Sequence, residues 1–158
     1  MSAQLQTLWH LEPMEQGRLP QVLDIEQRAY PFPWTEGIFR DCLRAGYSGW
    51  IVTSPANEVL AYAIMSMAVN EAHILNLCVE PACQQQGLGR FMLSHLQQVA
   101  RAAGMEVMLL EVRKSNNAAI ALYKNNGFQK LGVRKGYYPA PDGTEDAWLL
   151  GCTFKLPA

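Results

Sequence analysis

The chain has 158 residues and a mass of 17.7 kDa, a length that suits one compact domain, residues 1–158, and leaves little room for two. A hydrophobic fraction of 49% with 17% charged residues excludes an intrinsically disordered chain, and a core of this size needs neither disulfides nor a structural metal. Thirteen Lys and Arg against fourteen Asp and Glu leave a net charge of −1, so a cationic face for nucleic-acid phosphates is not expected.

The first twenty residues show no basic start followed by an apolar core of about 7 to 15 residues, and Ser2 stands where a myristoylation signal needs glycine. Apolar runs such as Val107-Met108-Leu109-Leu110 fall far short of the ~20 residues of a membrane span. The cytosol is the expected compartment.

Positions 1–45 read as irregular to helical. Val22, Leu23, Ile25, Glu26 and Ala29 set a helical stripe that Pro31 and Pro33 break, and Thr35 can cap a second helix running to Leu43. Residues 59–69 and 72–79 read as strands around an Asn70-Glu71 turn. After Pro81 the period changes. Leu88, Phe91, Met92, Leu96, Val99, Ala100 and Ala103 recur mostly at three- and four-residue steps, the mark of an amphipathic helix that Gly104 can end. Residues 105–112 form a nearly continuous apolar strand, the pattern of a strand covered on both faces. Ser115 or Asn116 can cap a helix to about Asn126, with Gly127 as its left-handed terminator. Residues 128–138 and 145–154 close the chain as strands around an Asp142-Gly143 turn. A hairpin followed by β-α-β-α-β predicts an α/β fold, a mixed sheet with helices on its faces.

Cys42, Cys78, Cys83 and Cys152 form no CxxC pair and have no histidine at zinc-finger spacing, so they read as four free thiols and no metal site is expected. His73 reads as a half-exposed strand residue and His95 as a helix-surface residue. Cys78 lies in an apolar run with no adjacent histidine to activate it, which favours packing over an acyl-cysteine intermediate.

The most informative segment is Gln84-Gln85-Gln86-Gly87-Leu88-Gly89-Arg90, between a predicted strand and the first turn of a predicted helix. Free N–H groups and the helix dipole make such a terminus an anion site, and glycines let a phosphate approach the backbone. The plain alternative is a glycine-containing turn. No Lys-Ser/Thr pair follows the second glycine, which excludes a Walker loop, and the first glycine of the dinucleotide fingerprint is missing.

Gln84-x-x-Gly87-x-Gly89 resembles the (Gln/Arg)-x-x-Gly-x-(Gly/Ala) motif of the GCN5-related N-acetyltransferase superfamily, which cradles the pyrophosphate of acetyl-coenzyme A. Leu110-Glu111-Val112-Arg113, Ser115-Asn116, Ala121-Leu122-Tyr123 and Asn126-Gly127-Phe128 are similar to that superfamily in order and spacing. Ile25 to Ala29, Phe32-Pro33-Trp34, Tyr137-Tyr138-Pro139 and the run from Asp142 to Ala147 resemble one branch, the bacterial ribosomal-protein alanine N-acetyltransferases. Gly136 departs from it, since relatives often carry Asn there, and this could loosen the substrate loop.

The resemblance implies a mostly antiparallel sheet with a splayed parallel strand pair, and acetyl transfer from acetyl-coenzyme A to the N-terminal amine of a ribosomal protein, without metal. It implies Glu111 as general base, on the face of Val107 and Leu109 at the carboxyl end of its strand, where apolar surroundings would strengthen it. A rim carboxylate paired with Arg113 or a lysine is the alternative for Glu111, and a packing tyrosine the alternative for Tyr123, the implied proton donor to the departing thiolate. Coenzyme contacts would come from Leu77, Cys78 and Val79 through their backbone, from Gln84, Gln85, Gln86, Gly87, Leu88, Gly89 and Arg90, and from Asn116, which can equally serve as a helix cap. The acceptor would lie between Phe32 and Trp34 on one side and Tyr137, Tyr138, Glu145 and Asp146 on the other, with Glu26 and Asp142 as further carboxylates for a basic peptide. Two other readings stay open: an acetyltransferase for a lysine side chain, polyamine or aminoglycoside, and a non-catalytic acyl-coenzyme A-binding module. The oligomeric state is not encoded in any feature of the sequence.

Overall fold

The computed structural model describes residues 8–154, so the reading of positions 1–7 lies outside the described residues. Seven strands, β1 (His10–Pro13), β2 (Ser48–Thr53), β3 (Val59–Ala68), β4 (Glu71–Val79), β5 (Val107–Arg113), β6 (Gln129–Ala140) and β7 (Gly143–Thr153), form one sheet in the order β1-β2-β3-β4-β5-β7-β6. Helices α1 (Leu19–Ala29), α2 (Glu36–Arg44), α3 (Leu88–Ala102) and α4 (Asn117–Lys124) alternate with them. The sheet is mixed: β4 and β5 pair parallel, while β1 with β2, β2 with β3, β5 with β7 and β6 with β7 pair antiparallel.

The chain divides into two compact units. Among the described residues, one comprises 8–66 together with Asn76–Leu96, the other Met67–Leu75 together with 97–154, so β3, β4 and α3 contribute to both. In the first unit Leu19, Val22, Phe39, Ile51, Tyr62, Ile64 and Met92 are buried, and each large apolar side chain removed from water contributes about 1.5 to 3 kcal/mol. Thr35 caps α2 by accepting from Ile38 N, as its position before the helix foretells. In the second unit β5 runs between β4 and β7. Met108, Leu110 and Val112 are buried, and the alternate positions Val107, Leu109, Glu111 and Arg113 are half-covered. The apolar run is therefore sealed on one face only, against the expectation of two covered faces.

Three other expectations are corrected. β1 and β2 lie in stretches not read as strands; β1 spans four residues, too few to show alternation, and only pairing with β2 from His10–Thr53 to Pro13–Trp50 makes it a strand. The hairpin turn is Val69-Asn70 rather than Asn70-Glu71: both carry positive φ, +42° and +73°, and Glu71 already belongs to β4. His95 is not a surface residue of α3. Its ring packs edge-on against Trp50 with centroids 4.3 Å apart, and its Nε2 is buried with no hydrogen-bond partner among the described residues.

That burial lowers the affinity of His95 for a proton through desolvation. The unfolded chain protonates this group near its ordinary pKa of about 6.5, whereas the folded protein resists until lower pH, so stability is full above about 6.5 and is lost as pH falls. The expected slope from this group is at most about 1.4 kcal/mol per pH unit. Urea titrations of the wild type and His95→Leu between pH 5 and 7.5 should show the variant losing this part of the slope; parallel pH dependences would refute it.

Candidate active site

In the first unit, the chain leaves β4 at Val79 and is braced before the anion-loop segment begins. Glu80 Oε2 accepts from Ala82 N at 2.9 Å, and its Oε1 receives Arg28 of α1 at 2.6 Å; Arg28 also holds Asp24 at 3.0 Å. The guanidinium holds the Glu80 carboxyl below the usual carboxylate range. Gln85 and Gly87 then take left-handed φ of +65° and +88°. At Gly87 the conformation is free of a Cβ penalty and turns the chain into α3. The first intrahelical bond runs from Phe91 N to Gly87 O at 2.9 Å, which leaves the amides of Leu88, Gly89 and Arg90 outside the helical ladder. Gln84, Gln85, Gln86 and Arg90 are exposed, Gly87 and Gly89 half-buried, and Leu88 anchors the turn in the core. A diphosphate fits this start on charge and donors.

On β4, Leu77 and Val79 are half-buried and Cys78 is buried. Burial pushes the Cys78 thiol up, away from a nucleophilic thiolate. The Tyr30 hydroxyl donates to Leu77 O at 3.4 Å. All four cysteines are free, and no cluster of metal-binding side chains occurs among the described residues.

The first unit also contains a buried carboxylate. Glu26 is 2% exposed; its Oε1 accepts from Tyr62 Oη at 2.7 Å and Asn76 Nδ2 at 3.0 Å, and its Oε2 from Trp34 N at 2.9 Å. It was expected as a carboxylate for a basic peptide; three donors of its own chain hold it instead. The signal was present: with Leu19 and Val22 it occupies the apolar stripe of α1, at i+7 and i+4. Trp34, so anchored, stacks edge-on against Phe39 at 5.1 Å, while Phe32 is 44% exposed.

In the second unit, Glu111 directly follows Leu110, which is registered with Ile74 across β4 and β5. Its side chain is 6% exposed. Its partner is His73, whose Nε2 lies 2.7 Å from Oε1 and 3.1 Å from Oε2. Arg113 bridges instead to Glu145 at 3.1 Å, donates to Pro139 O at 2.8 Å and lies over the Tyr138 ring at 4.5 Å. Burial, with the charge of Glu111 behind it, pushes the Tyr138 phenol up to about 12, so its hydroxyl stays protonated.

Tyr123 is buried on α4, its ring edge-on to Phe128 at 5.5 Å. Asn116 caps α4 by accepting from Ala119 N at 3.2 Å. In the β6–β7 hairpin, Tyr137 is 52% exposed and packs against Tyr138 at 5.0 Å. Two acids of this hairpin, Glu145 and Asp146, are engaged by their own chain. Glu145 accepts from Ser115 N at 2.9 Å besides pairing with Arg113, and Asp146 Oδ1 accepts from Gly136 N at 2.9 Å. Gly136, expected to loosen this loop, is therefore held, at a φ of +61° that glycine adopts without strain.

A helix start with amides free of the helical ladder can hold a phosphorylated ligand, and a carboxylate little exposed at a strand end can take a proton. Acyl transfer from a coenzyme A thioester uses both, and the class so defined is the coenzyme A-dependent acyltransferases. The model of the acetyltransferase (GNAT) family matches residues 19–128, and the chain belongs to that family as an acetyl-coenzyme A-dependent N-acetyltransferase. It is 40% identical over 143 residues, 90% of this chain and 96% of the relative, to the [ribosomal protein bS18]-alanine N-acetyltransferase of Escherichia coli K12. The crystal structure of the ribosomal-protein-S18-alanine N-acetyltransferase from Escherichia coli superposes with a TM-score of 0.88 at 37% identity, covering 95% of this chain and 96% of that one. Ard1 from Thermoplasma volcanium shares the fold, with a TM-score of 0.86 at 23% identity over 94% of this chain and 99% of its own.

Proposed function

We propose that this chain, acting as one acetyltransferase domain in the cytoplasm, transfers acetyl from acetyl-coenzyme A to the α-amine of an N-terminal alanine on a ribosomal protein of the S18 type. The observation that carries the chemistry is the Glu111 carboxylate, nearly sealed from water at the end of β5. An α-amine with pKa about 8 is mostly protonated at pH 7 and needs a base before its lone pair can attack. Glu111 takes that proton. Tyr123, a phenol protonated at pH 7, gives one to the departing thiolate. The amides of Leu88, Gly89 and Arg90, with Gln84 to Gly87, hold the diphosphate; the backbone of Leu77 to Val79 aligns the pantetheine amides, and Asn116 adds a contact.

Identity of 40% to the Escherichia coli alanine N-acetyltransferase over 90% of this chain supports the acceptor. Phe32, Trp34, Tyr137 and Tyr138 supply its aromatic walls, and Glu145 and Asp146 shape the hairpin through their internal bonds. The test is competition under acetyl-coenzyme A saturation. A peptide with the alanine N-terminus of a ribosomal protein should exceed spermidine, an aminoglycoside and an N-blocked lysine peptide in kcat/KM by at least about tenfold, roughly 1.4 kcal/mol in the transition state. A small amine or the lysine peptide in first place would overturn the acceptor. Coenzyme binding with no turnover on any amine would leave a binding module.

A further inference from the structure

Acetylation of an α-ammonium forms a C–N bond, breaks a C–S bond and removes two protons from nitrogen. One ends on sulfur; the other must reach solvent in every turnover. If Glu111 is the base, as proposed above, it holds that second proton, and its side chain is 6% exposed. The group against it is His73, with Nε2 at 2.7 Å from Oε1 and 3.1 Å from Oε2 and a side chain 33% exposed. The contact follows from register. His73 pairs with Leu109 across β4 and β5, and Glu111 lies two residues further along on the same face.

Other groups near Glu111 do not serve. The Tyr138 hydroxyl stays protonated, and Arg113 is a permanent cation bound to Glu145. Histidine alone exchanges protons readily near neutral pH. We propose that His73 is the proton outlet of Glu111, carrying the proton of each turnover from the buried carboxylate to solvent. The ring, carrying its own hydrogen on Nδ1, accepts the proton on Nε2 and the carboxylate returns to its anion; the imidazolium then turns its Nε2 edge from the carboxylate to solvent, where a water or buffer base takes that proton and leaves the Nδ1–H ring that began the cycle. His73 acts through Glu111 and touches neither reacting atom, which makes it a positioning residue.

The experiment compares His73→Gln and His73→Ala with wild type in steady-state acetylation. Glutamine can donate to Glu111 but cannot carry a proton. Both variants should lose about 10- to 100-fold in kcat, less than the 10² to 10⁴ of a reacting acid or base, with KM for acetyl-coenzyme A unchanged. Added imidazole should restore kcat of His73→Ala in proportion to its concentration and leave wild type unaffected. Wild-type kcat in His73→Gln, or a loss that imidazole does not repair, would overturn the outlet. Glu111→Gln separates the two readings: full turnover there removes the base, whereas an inactive Glu111→Gln beside a fully active His73→Gln removes only the outlet.

Discussion

Glu111→Gln is expected to lower kcat by about 10² to 10⁴ while the affinity for acetyl-coenzyme A holds. The substitution keeps the shape of the side chain, and the amide group can still hydrogen-bond to His73 Nε2, which lies 2.7 Å from Oε1 of Glu111. What it removes is the negative charge, and with it the basicity proposed to take the proton. A nearly sealed side chain leaves little room for water to replace it. The amides of Leu88 to Arg90, proposed to hold the diphosphate, belong to another segment of the chain, so calorimetric titration with acetyl-coenzyme A should give a Kd close to that of wild type. Unchanged turnover would falsify the assignment of Glu111 as the base.

The second large effect is on stability. Glu26→Ala should cost about 3 kcal/mol or more, because the Tyr62 hydroxyl, the Asn76 amide and the Trp34 N–H lose their acceptor together, and each orphaned buried donor costs about 1 to 3 kcal/mol. Glu26→Gln is the control. Its oxygen can keep Tyr62 and Asn76, but its amide nitrogen would face the Trp34 N–H, donor against donor. The loss should shrink to about 1 to 2 kcal/mol and concentrate on the Phe32–Trp34 loop. Urea denaturation gives both values, and a Glu26→Ala midpoint matching wild type at equal m would show that this carboxylate does not hold the fold.

Much of the architecture was legible because local rules and tertiary structure agree. The stripe from Leu88 to Ala100 and the caps at Thr35 and Asn116 place α2, α3 and α4 within a residue or two. Where the two levels disagree, a long-range partner prevailed. His10–Pro13 is a strand only because Ser48–Thr53 lies alongside. His95 was read from its place on a helix, but Trp50 from another element covers it. Glu145 and Asp146 of the hairpin looked free for a ligand and are held by Arg113, Ser115 and Gly136.

By itself the sequence determined the chemistry that depends on neighbours in the chain: a glycine-containing turn feeding helix amides from Gln84 to Arg90, a carboxylate at a strand end, and a tyrosine on the helix that follows. Those features need only a few consecutive residues, and backbone sterics fix them. Tertiary structure alone decided the partners: His73 for Glu111, Glu145 for Arg113, and Tyr62, Asn76 and Trp34 for Glu26. The reason is that sheet register and helix docking set which side chains meet, and both come from the summed burial of many residues distant in sequence rather than from any local pattern.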